Sequence, residues 1–164
     1  MFSPDPTADE YVTVRRLRDE NARGLILYAR QWFASEAEDV VQEAFLKLLI
    51  ETPPPREPKA WLYRVVRNAA VDRQRKQRRF EVIGNWFEEV PEYRLKEPEF
   101  DGEALTRALE TLDDGVREII VSKIWGSLTF REIAELIGRP ISSVHHDYQK
   151  GLDRLRVLLE EKES

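Results

Sequence analysis

Positive charge collects at the end of one helical stretch, WLYRVVRNAAVDRQRKQRR, which runs from residue 61 to residue 79. This basic stretch holds seven Arg or Lys residues and a single Asp, and the aromatic residues Trp61 and Tyr63 lie at its start. Aromatic rings stack on the bases of single-stranded nucleic acid while arginines follow the phosphates, and each stacked base contributes about 1–3 kcal/mol. The stretch therefore predicts a nucleic-acid contact. The alternatives are a solvated helix end, which the helix dipole favours, and core packing of either ring.

A tight turn precedes a second set of polar side chains, in SLTFREIAELIGRPISSVHHDYQKG at residues 127–151. Thr129 and Glu132 have the spacing of a capping box, and Gly138 followed by Pro140 predicts where that helix ends. Two short helices joined in this way are typical of a helix-turn-helix, whose second helix presents side chains to base edges. The side chains suited to this are Ser142, Ser143, His145, His146, Gln149 and Lys150, with Arg131 and Arg139 suited to phosphates. The alternative is a helical hairpin that packs against a protein.

The apolar pattern upstream of the basic stretch predicts two further helices. One runs to about Phe33, and the next carries its apolar face from Ala37 to Leu48. Ser35 has the type and position of an N-cap for this second helix. The stretch ETPPPREP at residues 51–58 ends it, because consecutive prolines cannot continue a helix. The polar residues on its opposite face are Asp39, Gln42, Glu43 and Lys47.

The sign of the charge reverses after the basic stretch. Residues 81–103 hold eight acidic against two basic residues, contain Pro91 and Pro98, and show little periodicity, which is typical of a linker. Helical patterns resume beyond it, and we find no strand pattern. We therefore predict an all-α protein of two small helical domains joined by a flexible acidic linker. The predicted bounds are a flexible tail at 1–9, a first domain at 10–80, the linker at 81–103 and a second domain at 104–164.

The composition narrows the possible functions. No Cys is present, which excludes a disulfide framework and a thiolate metal site. His145 and His146 are adjacent and diverge by about 100° on a helix, which is poor geometry for one metal ion. The sequence has no phosphate-binding loop and no Gly-rich dinucleotide fingerprint, so we expect no catalytic residue, no metal and no cofactor.

The N-terminus lacks the apolar segment of a signal peptide and no run approaches the ~20 apolar residues of a membrane span. We therefore expect a cytoplasmic protein without membrane insertion.

Three motifs in this order resemble the extracytoplasmic-function sigma factors, which are small bacterial transcription initiation factors. AEDVVQEAFLKLL at residues 37–49 is similar to the family's helix that binds the polymerase clamp. The basic stretch is similar to its helix for the promoter −10 element, and residues 112–156 are similar to its C-terminal −35-binding domain. The resemblance covers about residues 10–160 apart from the linker. It implies that the first domain is sigma domain 2 and that the second is sigma domain 4.

The resemblance implies a role for each matching position. The residues that match the docking face for the β′ clamp helices of core RNA polymerase are Asp39, Gln42 and Glu43, with Phe45 bracing the helix. The loop at 51–60 matches the one that captures a flipped base of the opened −10 element. The −10 residues are Trp61, Arg64, Arg67, Asn68, Asp72, Arg73 and Arg75, and the −35 residues are Arg131, Ser142, Ser143, His145, His146, Gln149 and Lys150. The implied partners are core RNA polymerase, through its β′ clamp helices and β flap, promoter DNA, and an anti-sigma factor, which often holds members of this family inactive.

The last helix departs from the family's pattern, which usually carries more arginine after a Gly-Thr-Val start. Asp147 lies in the middle of SSVHHDYQKG and Gly151 ends this segment. A negative charge opposes DNA phosphates, and glycine weakens a helix. Both features predict a lower affinity for −35 DNA while leaving the fold unchanged.

The main hypothesis is an alternative sigma factor that binds core RNA polymerase, reads the −35 duplex and traps the opened −10 strand. One alternative is a stand-alone helix-turn-helix regulator, which would bind duplex DNA tightly without polymerase and would not need the face formed by Asp39, Gln42 and Glu43. Another alternative is an interaction protein derived from a sigma factor that binds no DNA. Such a protein would be indifferent to His146→Ala or Gln149→Ala.

Overall fold

The architecture is that of a computed structural model of the 164-residue chain. The structure describes residues 5–81 and 102–163, and it describes side chains within 5–76 and 105–161. The regular structure in these residues is helical, and the chain divides into two compact units, Met1–Tyr93 and Arg94–Ser164. The prediction of an all-α protein with two helical domains is therefore confirmed. The predicted tail and linker lie outside the described residues over 1–4 and 82–101.

Three helices form the described part of the first unit, and each packs against the other two. They are α1 (Ala8–Ala29), α2 (Ala37–Ile50) and α3 (Pro58–Glu81). Helix α1 begins with a capping box, in which the Thr7 hydroxyl accepts a hydrogen bond from the Glu10 backbone and the Glu10 carboxylate accepts one from the Thr7 backbone. This box satisfies N–H groups that have no partner inside the helix. It also sets the start of α1 within the segment that the sequence predicted to be a flexible tail.

The predicted N-cap of α2 is wrong by one residue. Glu36 occupies the N-cap position rather than Ser35, and the Glu36 side chain makes no capping hydrogen bond. The acidic residues Glu38 and Asp39 lie in the first turn, where their charge complements the helix dipole. The Glu36 carboxylate instead accepts a hydrogen bond from Arg73 of α3, so a tertiary contact takes the place of a local cap.

The core of the first unit contains apolar residues from all three helices. Side chains with at most 1% exposure include Leu25, Tyr28, Ala37, Leu62, Tyr63 and Val66. The ring centroids of Tyr28 and Tyr63 lie 4.9 Å apart, and Trp32 packs edge-on against Tyr28 at 5.0 Å. Burial raises the pKa of Tyr63 far above its ordinary value, because the phenolate would lose its hydration. Tyr63 is therefore a neutral core residue.

Four helices form the described part of the second unit. They are α4 (Gly102–Glu110), α5 (Asp114–Ile124), α6 (Phe130–Ile137) and α7 (Ile141–Glu163), and α7 contacts each of the others. Arg117 of α5 holds the end of α4, since its guanidinium donates to the carbonyl oxygen of Leu109 at 2.8 Å and to those of Glu110 and Leu112 at 3.0 Å. Carbonyl groups at a helix end lack partners within the helix, and one side chain supplies them here. None of the described helices is long and apolar enough to cross a membrane.

Gly151 marks the closest approach of α7 to α5. A Cβ added at this position would lie 2.8 Å from Val116 Cγ1 and 2.9 Å from Ile120 Cγ1. These distances are shorter than real side-chain contacts, so only glycine fits between the two helices as they stand. Helix α7 continues through this position to Glu163, because packing offsets the low helix propensity of glycine, which is about 1 kcal/mol relative to alanine.

Candidate nucleic-acid interface

The turn between α6 and α7 has the backbone geometry that the sequence predicted. The capping box of Thr129 and Glu132 is present at the start of α6. Gly138 occupies the C-cap in the left-handed conformation, with φ 70° and ψ 39°, where a side chain would be strained. The backbone N–H groups of Gly138 and Arg139 both donate to the carbonyl oxygen of Ala134, at 2.9 Å and 3.1 Å. The predicted helix-turn-helix is therefore confirmed at the level of backbone structure.

The polar residues at the start of α7 form one exposed surface, which we call the α7 face. Its exposed members are Ser142, His145, His146, Gln149 and Lys150, while Ser143 is half-buried and Arg131 of α6 is exposed nearby in sequence. The His145 ring lies 5.0 Å from the Phe130 ring, which also packs against Tyr148 at 5.2 Å. The Lys123 ammonium lies 4.5 Å from the centre of the same Phe130 ring. These contacts fix the orientation of His145 while leaving it accessible.

Arg139 is held against its own unit. Its Nη2 donates a hydrogen bond to Asp147 Oδ2 at 2.7 Å and another to the Ser143 hydroxyl. The Arg139 and Asp147 side chains are 34% and 21% exposed. The sequence suggested Arg139 as a phosphate contact and Asp147 as a charge that opposes DNA, whereas the structure joins the two as an ion pair.

Helix α3 presents a second polar surface, which we call the α3 face. Its exposed members are Arg64, Asn68, Asp72 and Arg75, with the half-buried Trp61 on the same side. Arg67 and Arg73 of α3 are half-buried as well. Tyr63 is absent from this face because it belongs to the core. The signal that separates the two aromatic residues was present in the sequence, since Tyr63 shares helical spacing with the buried Val66 and Ala70. Of the two rings, that of Trp61 is the accessible one.

Arg73 makes close contacts within the first unit. Its Nη1 lies 2.8 Å from Glu36 Oε2, and its guanidinium carbon lies 5.0 Å from the centre of the Phe33 ring. The Arg73 side chain is 32% exposed. The guanidinium therefore joins α3 to the segment between α1 and α2, in addition to the DNA role that the resemblance implies.

The acidic surface of α2 is exposed as a continuous strip. Asp39, Gln42 and Glu43 are exposed, whereas Phe45 of the same helix is 4% exposed and lines the groove described next. Sequence reasoning did not identify the open groove of about 730 Å³ that runs beside this strip between α1 and α2. The groove is lined mainly by Tyr11, Val14, Ala22, Ile26, Val41, Phe45, Leu46 and Leu49, with Arg15, Arg18, Glu38 and Gln42 as polar members. The sequence held one signal, because Leu46 is apolar yet lies outside the apolar stripe of α2. In the structure Leu46 is 57% exposed.

The described residues hold no cluster of three or more His, Cys, Asp or Glu side chains that could bind a metal ion. In the same residues, every buried side-chain nitrogen and oxygen has a hydrogen-bond partner. The exposed polar side chains of α2, α3 and α7 are among the groups available to a partner.

Comparison with known proteins assigns both units. Residues 17–80 match the family model for Sigma-70 region 2, and residues 102–155 match that for Sigma-70, region 4. The chain is 30% identical to RNA polymerase sigma factor SigV of Bacillus subtilis over 76% of each chain. It is also 30% identical to ECF RNA polymerase sigma factor SigL of Mycobacterium tuberculosis, over 94% of this chain and 93% of that protein.

A solved structure shows the same fold. The sigma factor RpoE, crystallised with the anti-sigma factor NepR from Bartonella quintana, matches with a TM-score of 0.67 and 22% identity, covering 89% of this chain and 96% of that chain. The fold match agrees with the two family models, of which region 2 precedes region 4 along this chain. The chain therefore belongs to the extracytoplasmic-function family of RNA polymerase sigma factors, which act in transcription initiation.

Proposed function

We propose that this chain directs core RNA polymerase to promoters by binding −35 duplex DNA with α7 and the opened −10 strand with α3. The observation that carries the proposal is that the first unit has two exposed surfaces of opposite charge. One helix, α2, exposes the acidic strip of Asp39, Gln42 and Glu43, and another, α3, exposes the arginines Arg64 and Arg75. A protein with these two surfaces can hold a protein partner and a nucleic-acid strand at once.

The α3 face suits a single strand. Trp61 offers a partly exposed ring, and the exposed Arg64 and Arg75 follow at helical spacing on the same side. Rings stack on bases and arginines bind phosphates without sequence readout. The exposed loop that precedes α3, residues 51–57, would receive an extruded base, and contacts there would offset the few kcal/mol that base flipping costs.

The α7 face suits duplex DNA. Its first turns are the part of a recognition helix that enters the major groove. His146 and Gln149 are exposed there with hydrogen-bonding atoms that fit base edges, and Lys150 is exposed for phosphates. The left-handed Gly138 at the C-cap of α6 sets the direction in which the chain leaves α6 towards α7.

Polymerase docking would join the two DNA contacts. The acidic strip of α2 and the apolar groove beside it would receive the β′ clamp helices, and the second unit would bind the β flap. Two weak contacts held by one partner gain affinity through effective concentration. The SigV and SigL relatives are RNA polymerase sigma factors by name, which supports this assignment of the partner.

An anti-sigma factor is a further proposed partner. RpoE of Bartonella quintana was crystallised with the anti-sigma factor NepR. A protein that covers the groove between α1 and α2 would block the acidic strip on α2 because Gln42 belongs to both.

Transcription in vitro tests the proposal. Core RNA polymerase and the full-length chain are mixed with linear templates whose upstream region is randomised, and the RNA products are sequenced. We expect transcripts that begin downstream of two recurrent elements, and none from core polymerase alone. If the protein adds no transcripts above core polymerase, while a known sigma factor does so in parallel, promoter recognition by this chain is wrong. The stand-alone regulator would instead bind a duplex selected from the same library without polymerase.

A further inference from the structure

A single cation ties the turn of the helix-turn-helix to the middle of α7. Arg139 directly follows the C-cap Gly138, and its guanidinium reaches Ser143 and Asp147, four and eight residues further along. These spacings place both partners on one side of α7, facing the turn. A Cβ at Gly115 of α5 would lie 3.7 Å from Arg139 Nη1, so the guanidinium also lies against the start of α5.

We propose that Arg139 and Asp147 are positioning residues for −35 recognition, which rests on the function proposed above. The turn fixes the start of α7, and the pair adds a second attachment two helical turns further along the helix. His146, which is adjacent to Asp147, is exposed on the reading surface. The pair therefore sets the rotation at which α7 offers its side chains to base edges.

The charge of Asp147 has a different meaning in this arrangement. An unpaired carboxylate on a DNA-reading helix repels phosphates of any sequence. Asp147 is instead bonded to Arg139 at 2.7 Å, and the pair has no net charge. A charge-assisted hydrogen bond of this kind is stronger and more directional than a neutral one. Asp147 thus orients α7 through its bond to Arg139 and does not act as an unpaired charge that repels DNA phosphates.

The two hypotheses, that Asp147 repels DNA and that the ion pair positions α7, predict different outcomes for Asp147→Asn. If Asp147 only repels DNA, its neutralisation raises affinity for every duplex and leaves sequence discrimination unchanged. If the pair positions α7, the same substitution lowers discrimination, because α7 loses its ion pair to the turn and retains only its packing against α4, α5 and α6. The double variant Arg139→Gln with Asp147→Asn is the sharper test, since it has the same net charge as the parent and lacks the ion pair, together with the Arg139 hydrogen bond to Ser143.

The experiment uses holoenzyme assembled from core RNA polymerase and the full-length chain. The promoter is one recovered from the transcription selection, and the readout is the ratio of affinities for this promoter and for a version with a scrambled −35 element. The variants are Asp147→Asn, Arg139→Gln and the double variant. We expect each of the three to lower the ratio by a similar factor of about ten, because each change alone breaks the same pair and coupled residues are not additive.

Asp153→Asn is the matched control. Asp153 is an exposed acidic residue of α7, and its neutralisation changes the net charge as Asp147→Asn does. We expect it to strengthen binding to both promoters and to leave the ratio at the parent value.

Circular dichroism melts of each variant verify that the second unit remains folded at the assay temperature. Arg139→Lys serves if Asp147→Asn unfolds the unit, since it keeps the charge but replaces the planar guanidinium with a single ammonium, and its ratio is expected to fall.

The outcomes separate this inference from the proposed function. A parent holoenzyme that binds both promoters equally would overturn −35 reading and the positioning role together. A parent that discriminates, with a double variant that retains the parent ratio, would overturn only the positioning role. An Asp147→Asn variant that binds both promoters more tightly at an unchanged ratio would show that repulsion is its whole effect.

Discussion

Arg73 Nη1 lies 2.8 Å from Glu36 Oε2, and the same guanidinium lies over the ring of Phe33. The two residues are 37 positions apart in the chain, so the contact fastens α3 to the segment that precedes α2. Glu36 is also the N-cap of the helix that carries the acidic strip. Within the first unit, an ion pair therefore links the helix proposed to bind DNA to the start of the helix proposed to bind polymerase.

The Arg73 contact predicts that two arginines of α3 have different roles, with Arg73 contributing to stability and Arg75 to DNA binding. We expect Arg73→Ala to lower the free energy of unfolding by about 1 kcal/mol, because it removes a cation–π contact and a partly exposed ion pair. Arg75→Ala, its control, changes an exposed arginine on the same helix and should leave stability unchanged while weakening binding to single-stranded −10 DNA. Urea unfolding and strand-binding titrations measure the two effects. An Arg73→Ala protein with parent stability would show that the contact does not fasten α3.

The packing at Gly151 predicts that a better helix former will destabilise the protein. Gly151→Ala places a methyl group against Val116 and Ile120, and we expect a loss of about 1–3 kcal/mol from overpacking. Asp153→Ala, an exposed position on the same helix, should be close to neutral. Urea unfolding of both variants makes the comparison. A Gly151→Ala protein that is more stable than the parent would mean that helix propensity outweighs packing there.

Burial of Tyr63 predicts a loss of stability in alkali. Its pKa is raised in the folded protein, so the unfolded chain releases the phenolic proton first, near pH 10. Above about pH 10 the unfolded state binds fewer protons than the folded state, and stability falls by up to about 1.4 kcal/mol per pH unit for this group. We expect Tyr63→Phe to flatten that fall relative to the parent. Tyr11→Phe, at a residue that is 54% exposed, should retain the parent profile in urea unfolding between pH 8 and pH 11.

Substitutions on the α7 face are expected to affect DNA binding in two ways, through sequence discrimination or through overall affinity. His146→Ala and Gln149→Ala should each lower discrimination for the −35 element, by about 1–3 kcal/mol for a lost base contact. Lys150→Ala should weaken binding to all promoters alike and reduce the salt dependence by about one unit of slope. Holoenzyme titrations at several salt concentrations distinguish these patterns. Unchanged −35 discrimination in both His146→Ala and Gln149→Ala would contradict base reading by these side chains.

Local signals in the sequence were sufficient for the turn of the helix-turn-helix. The capping box of Thr129 and Glu132 and the left-handed Gly138 depend on neighbours within a few residues, and the structure has both. Tertiary contacts were not accessible in the same way. The N-cap is Glu36 instead of the predicted Ser35, and the Glu36 side chain contacts Arg73 of α3, which is 37 positions away in the chain.

The same limit applies to the site residues. The spacing of Trp61, Arg64 and Arg75 predicted a shared face from helical geometry alone. The partners of Arg139 and Asp147 depend on how a side chain folds back from a turn, which residue type does not reveal. From the sequence alone, Asp147 was a departure from the family pattern that predicted weaker DNA binding. In the structure, Asp147 forms an ion pair with Arg139.

The most direct test of the central claim is binding to core RNA polymerase. The full-length protein, the variant with Asp39→Ala and Gln42→Ala, and the control Asp19→Ala are each mixed with core polymerase and separated by size exclusion. Asp19 is an exposed acidic residue of α1 outside the groove. We predict that the parent and the control co-elute with polymerase and that the double variant binds more weakly. Failure of the parent to bind at micromolar concentrations, with a known sigma factor binding in parallel, would contradict the account.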